Sequence, residues 1–194
     1  MIRSSRSALI AAAFSLAGFS TSLARAEGPT SLAVDQAKSS LAYTITHKLH
    51  TSTGTSKKTE GAVRILPDGT VQVMVRAPIA SFDSGNTGRD SHMQETMEST
   101  QFPNVTFKGV SKLTPPTTFP ATVKLDVKGE LEFHGRKKPE TVPVEVTFTS
   151  AKDAQATAKF AVSLEKYEVD RPSLMLIKID DAIQIALDLV LKGQ

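Results

Sequence analysis

Residues 89–107 read RDSHMQETMESTQFPNVTF, and this stretch decides the fold because its period changes halfway along. The first half is polar with helical spacing. Met93 and Met97 share a face, with Arg89 one turn earlier on the same stripe, and His92, Glu95 and Ser99 lie on or near the adjoining face. Just upstream, residues 83–88 (DSGNTG) are a cluster of turn formers. Asn86 or Thr87 is placed to cap the first free N–H groups, and Asp90 falls in the first turn, where the helix dipole favours a carboxylate. Pro103 is expected to stop the helix. Beyond it Val105, Phe107 and Gly109 alternate with Thr106 and Lys108, the period of a strand. A single short helix among strands is accounted for if it plugs or covers a β structure.

Working outward, nearly every other segment alternates with period two. Leu32 and Val34 start a short strand, and residues 41–50 read as one long half-buried strand with Leu41, Tyr43, Ile45, His47 and Leu49 on its apolar face. Residues 51–56 read as a Ser/Thr/Gly loop. Val63 and Ile65 run into the Pro67-Asp68-Gly69 turn and return as Val71, Val73 and Val75, a hairpin. Residues 114–118 (TPPTT) form an exposed loop, and a long strand follows through Val123, Leu125, Val127, Gly129, Leu131 and Phe133, with Gly129 a place to bend or bulge. His134 to Lys137 turns the chain, and Val142, Val144, Val146 and Phe148 come back, with Pro143 marking an edge or a bulge because it has no N–H. Ala156, Ala158, Phe160, Val162 and Leu164 alternate, and so do Ile183, Ile185, Leu187 and Leu189. Residues 167–181 fit either a loop crossing one mouth or a turn of helix. The pattern predicts an all-β chain, a lipocalin-like antiparallel β-barrel of about eight strands with one short helix, with a sandwich as the alternative.

The first 26 residues read as a targeting segment. Arg3 and Arg6 give a basic start, residues 8–19 are apolar, and Ala24-Arg25-Ala26 makes an A-x-A cleavage site before Glu27. The apolar run is shorter than the roughly 20 residues that span a bilayer, so a cleaved secretory signal (1–26) followed by one domain (27–194) is expected, with no stable membrane insertion. That places the protein in the periplasm or outside the cell. About 168 residues remain, enough to bury a core unaided. The absence of cysteine means that burial, not disulfides, must hold the fold. The formal charge of +3 is misleading. Arg3, Arg6 and Arg25 leave with the signal, and 20 acidic residues then meet an equal number of basic ones. A near-neutral domain offers no electrostatic footprint for nucleic acid.

The motif Arg89-Asp90-x-His92-Met93, a short helix, and then Phe102-Pro103-x-x-Thr106-Phe107 resembles the signature of the YceI-like family of bacterial periplasmic polyisoprenoid-binding proteins. The resemblance extends through Ser40, Ile45 and His47, Glu60-Gly61, and the Gly129-x-Leu131-x-x-x-Gly135-x-x-Lys138-Pro139 hairpin. It implies an elongated lipocalin-like barrel with a hydrophobic pore, a bound isoprenoid or quinone-like lipid and no other cofactor. The first long strand lacks aromatics that many members carry there, and His50 and residues 171–174 are not shared throughout the family. These departures bear on the ligand more than on the fold.

The residues expected to line the cavity or its mouth are Tyr43, Ile45, His47, Arg89, His92, Met93, Met97, Phe102, Phe107, Ala158 and Phe160. Small residues in the inferred inward set, Ala156, Ala158, Gly109 and Gly129, and the absence of Trp argue for a cavity over a filled core. His47 is either a core histidine with a satisfied ring or a head-group contact. On one continuous strand His50 would face the opposite way, so the two would not chelate, and no metal site is assigned to His47, His50, His92 or His134. Arg89 and Asp90 suit either a head-group clamp or an ion network pinning the helix. There is no Cys, no G-x-S-x-G, no phosphate loop and no recognisable carboxylate pair. The expected function is therefore binding of an amphiphilic lipid as carrier or store, not catalysis. A metal-binding or structural envelope barrel and an enzyme acting on a lipid-like substrate are the alternatives. Oligomeric state is left open, a dimer included.

Overall fold

The computed structural model describes residues 28–48, 50–174 and 177–194. The expected signal segment lies outside the described residues. Along the chain the strands are β1 (Thr30–Val34), β2 (Ser40–His47), β3 (His50–Ser56), β4 (Glu60–Ile65), β5 (Thr70–Pro78) and β6 (Phe82–Asp83). The helix α1 (Thr87–Thr96) follows, and then β7 (Asn104–Lys112), β8 (Ala121–Phe133), β9 (Arg136–Ser150) and β10 (Asp153–Ser163). Two-residue strands β11 (Ser173–Leu174) and β12 (Ile177–Lys178) precede β13 (Ala182–Gly193).

The pairings β1-β4-β5-β7-β8-β9-β10-β13 run antiparallel, and β13 pairs back to β1, so eight strands close into a barrel. Closure leaves no open edge around that ring. β13 carries two partners on one side: β1 pairs with Leu191 to Gly193, and β2 with Gln184 to Asp188. The chain breaks between them at a turn of 3₁₀ helix, Gln36–Lys38. Ser39 bridges the break. It is 0% exposed, its Oγ donates to the Asp35 carbonyl at 2.7 Å and accepts from the Val190 N–H at 2.9 Å, so the β13 backbone stays satisfied where no strand faces it. From β2 the sheet extends through β3 to β6.

Inward positions form three apolar clusters. One end of the barrel holds Leu32, Ile65, Val71, Leu113, Phe148 and Leu191. The helix end holds Ile79, Met97, Leu131, Phe133, Val162, Tyr167 and Ile183, with a smaller group of Tyr43, Ala77 and Phe82 beside it. Tyr167 is fully buried, and its hydroxyl donates to Glu140 at 3.0 Å.

Several sequence expectations are corrected. Residues 51–56 are not a loop but most of β3, and the long strand expected over 41–50 turns back after His47. β3 alternates buried Ser52, Gly54 and Ser56 with exposed Thr51 and Thr53, so its inward face is small and hydroxylated, and a search for alternating hydrophobicity cannot see it. The helix ends at Thr96, well before Pro103, because Glu98 turns left-handed at φ 44° and the Glu98 carbonyl then accepts from the Gln101 and Phe102 N–H groups. Gly129 is not a bulge. It sits in register opposite Gly109, and a Cβ there would lie 2.2 Å from the Lys108 carbonyl oxygen. Pro143 is in an interior strand, yet the β9–β10 ladder stops at the adjacent pair, Ala158 with Val144, so the missing N–H falls where that ladder ends. Residues 167–181 contain a small β11–β12 hairpin tied to the barrel by the Asp180 N–H donating to the Thr46 carbonyl at 2.9 Å.

Candidate functional site

The barrel encloses a cavity of about 510 Å³. Its wall runs from Leu32, Ile65, Leu113, Phe148 and Leu191 at one end to Phe107, Phe133, Val162 and Ile183 near the helix. Side chains at alternate positions of every barrel strand produce this wall directly. The volume lies in the range of small-molecule binding pockets.

Polar groups on the wall gather at the helix end: His47, His50, Ser52, Arg89, His92, Thr96 and Ser173. The local sequence explains each placement. Asn86 caps α1, its Oδ1 accepting from the Arg89 N–H at 2.9 Å. Asp90 in the first turn accepts from the Ser84 hydroxyl at 2.6 Å and the Ser84 N–H at 3.1 Å. Arg89 then reaches back to the barrel: Nη1 donates to Ser52 Oγ at 2.6 Å, Nε to Ser84 Oγ at 2.9 Å and Nη2 to the Ser84 carbonyl at 3.2 Å. This pins the helix across the opening and points Met93 and Met97 inward, the second of them buried. Methionine makes an adaptable apolar lining.

Because the chain turns at Lys48, His47 and His50 are cross-strand neighbours on one face, with ring centroids 5.5 Å apart. The expectation that they face apart is thereby corrected. His47 is buried, and its Nε2 lies 3.1 Å from the Ile177 carbonyl oxygen. Among the described residues no three metal-ligating side chains converge.

Tyr43 stands out on this wall. It lies opposite Gly54 of β3, and a Cβ at 54 would meet its ring at 2.5 Å, so the glycine is what lets the ring lie over the inner face of β3. Phe82 packs against the other side, centroids 5.4 Å apart. The ring is 8% exposed, and its hydroxyl is buried with no hydrogen-bond partner among the described residues. Burial pushes this phenol above its ordinary value of 10.0; the Asp90 charge adds to the rise and the Arg89 charge opposes it. The phenol therefore keeps its proton at neutral pH.

Of the residues singled out from sequence, Tyr43, Ile45, His47, Arg89, His92, Met93, Met97, Phe107 and Phe160 all meet at the cavity. Phe102 lies outside its wall, edge-on to His134 at 5.3 Å and over Gly135. Ala158 is buried between its cross-strand neighbours Val144 and Leu187, which line the cavity, while its own methyl group is not part of the lining. Sequence reasoning missed Ser52, Phe82 and Ile179 as lining. Ser52 was hidden by the loop reading of β3, although the period-two spacing of Ser52, Gly54 and Ser56 was available.

A closed antiparallel barrel with an apolar interior, a polar end and a helix across it defines a ligand-cavity barrel, lipocalin-like in plan. The model of the YceI-like domain matches residues 32–191, and the chain belongs to that family. Solved structures share its fold. A polyisoprenoid-binding domain from Saccharophagus degradans, implicated in plant cell wall breakdown, superposes with a TM-score of 0.70 at 16% identity, covering 84% of this chain and 98% of that one. BcnA of Burkholderia cenocepacia gives 0.64 at 24% identity, covering 81% and 98%. A YceI protein of Campylobacter jejuni gives 0.56 at 18% identity, covering 73% and 84%. No curated protein matches the sequence significantly.

Proposed function

We propose that this protein holds one amphiphilic long-chain lipid, of isoprenoid or similar type, with its tail in the barrel and its head at the helix end, and that it serves as a carrier or store without chemical turnover. The carrying observation is the distribution of polarity: the cavity wall is apolar along its length, and its polar side chains collect beside α1. The description of the Saccharophagus degradans relative as a polyisoprenoid-binding domain supports the ligand class. At about 0.3 kcal/mol per heavy atom, a buried tail of about 30 atoms contributes about 9 kcal/mol, which corresponds to sub-micromolar affinity. The A-x-A site before Glu27 supports export and a periplasmic location.

The test is mass spectrometry of the organic extract of protein purified from its native host. The expected result is a long-chain lipid at close to one per chain. An extract holding only the bulk membrane lipids of the host, in bulk proportions, would refute the reading. Intact mass of the exported protein checks the compartment: the expected chain starts at Glu27.

A further inference from the structure

We infer that the guanidinium of Arg89 reads the ligand's head, and that the head is an oxyanion, a carboxylate or phosphate ester at the end of the long chain. The inference deepens the proposed lipid-binding function and rests on it.

The charge on the cavity wall carries it. Among the described residues the wall holds two arginines and three histidines and no aspartate or glutamate. Arg76 is paired with Glu60 at 2.8 Å. Arg89 has no carboxylate partner among the described residues: its side chain donates three N–H groups to the uncharged oxygens of Ser52 and Ser84. Of the five N–H donors of a guanidinium two are therefore left, with the whole positive charge. Asp90 does not pair with it. That carboxylate accepts from the Ser84 N–H and hydroxyl and is absent from the wall. The guanidinium is also reachable and held in place. Arg89 is exposed, and its bonds to the barrel fix it at the polar end of an apolar cavity, where a tail filling the barrel would leave its head. His50 stands two residues from Ser52 on the inward face of β3, and His92 is three residues beyond Arg89 on α1, so ring nitrogens flank the one fixed charge. Hydrogen bonds from a guanidinium to an oxyanion are about twice as strong as those between neutral groups. A neutral head would forgo that gain, and no acidic side chain among the described wall residues repels an anion.

The experiment compares three probes of equal carbon count, methyl tridecyl ketone, pentadecanoate and pentadecyl phosphate, in displacing the fluorescent apolar amine N-phenylnaphthylamine from the full mature protein. It is run at mildly alkaline pH, where both acids are ionised. The wild type is expected to hold an anion about tenfold more tightly than the ketone, the size of an added charge-assisted hydrogen bond at an exposed site. Preference for either anion supports the inference, and the tighter of the two tells a carboxylate head from a phosphate one. Two variants separate charge from architecture. Arg89→Gln removes the charge and is expected to lose the preference. Ser52→Asp puts a carboxylate on the Nη1 that Ser52 now accepts from, so the helix stays tethered while the charge is neutralised, and it is expected to lose the preference too. A preference lost in Arg89→Gln but kept in Ser52→Asp would make Arg89 a structural group and overturn the inference, as would a preference kept in both. A wild type that holds the ketone as tightly as the anions would overturn the oxyanion class while leaving lipid binding intact. If none of the probes displaces the dye, the proposed function fails and this inference fails with it.

Discussion

The two alanines of β10 show how finely single positions are set. Ala156 lines the cavity, and Ala158, two residues on and on the same face, is closed in between Val144 and Leu187. Ala156→Trp is expected to put its ring into free space, keep the melting temperature close to wild type and block ligand entry. Ala158→Trp has no such space and is expected to cost about 1–3 kcal/mol by overpacking, read by urea denaturation of both variants. Equal loss of stability in the two would mean that the core is filled. At this scale the sequence was readable wherever a residue announced its face by size and polarity, as Met93, Met97 and Phe160 do. It was not readable at Ala158, whose exclusion from the wall depends on side chains of two other strands, nor at Tyr43, whose posture depends on a glycine across a strand pair that the loop reading had dissolved.

Elements fix where the polar end sits. Arg89 joins α1 to the barrel through Ser52, so Arg89→Ala is expected to raise the ligand off-rate more than it lowers stability, measured by stopped-flow release against thermal melting. A large stability loss with unchanged release would show the contact to be structural only. At the other end of the barrel the β4–β5 hairpin carries an acid-sensitive turn. Asp68 accepts from the Thr70 N–H, the Thr70 hydroxyl and the Lys112 ammonium, which together hold its carboxyl at about 2 against an ordinary 3.8. A carboxyl lower in the folded than in the unfolded chain adds stability that is fully present above the unfolded value and is lost as pH falls through the folded one. The urea midpoint should therefore drop between pH about 4 and about 2, and less so in Asp68→Asn. The group is exposed, so the effect is small. The helix, this hairpin and the strand beginning at Asn104 could all be read from local signals: an N-cap, a Pro-Asp-Gly turn and an alternating run. The helix terminus could not, because a left-handed Glu98 ends it and no glycine or asparagine marks the place.

For the whole molecule, the barrel was legible as a count of alternating strands, but its closure was not. Closure depends on β1 and β2 sharing one side of β13, and the device that allows it is a single buried serine between them. Ser39→Ala removes one donor and one acceptor that serve backbone groups at the break and is expected to cost about 1–3 kcal/mol. Hydrogen exchange should locate the loss at the Val190 amide, and protection there unchanged from wild type would contradict this role. The proposed function needs the barrel to keep an apolar space dry and to open it at the polar end beside α1. Native mass spectrometry of the exported protein from its own host tests that most directly, with wild type and Ala156→Trp compared side by side. The wild-type mass is expected to be raised by one long-chain lipid, and the folded variant to run at the bare polypeptide mass. Bare mass in both, or the same lipid retained by the variant, would contradict it.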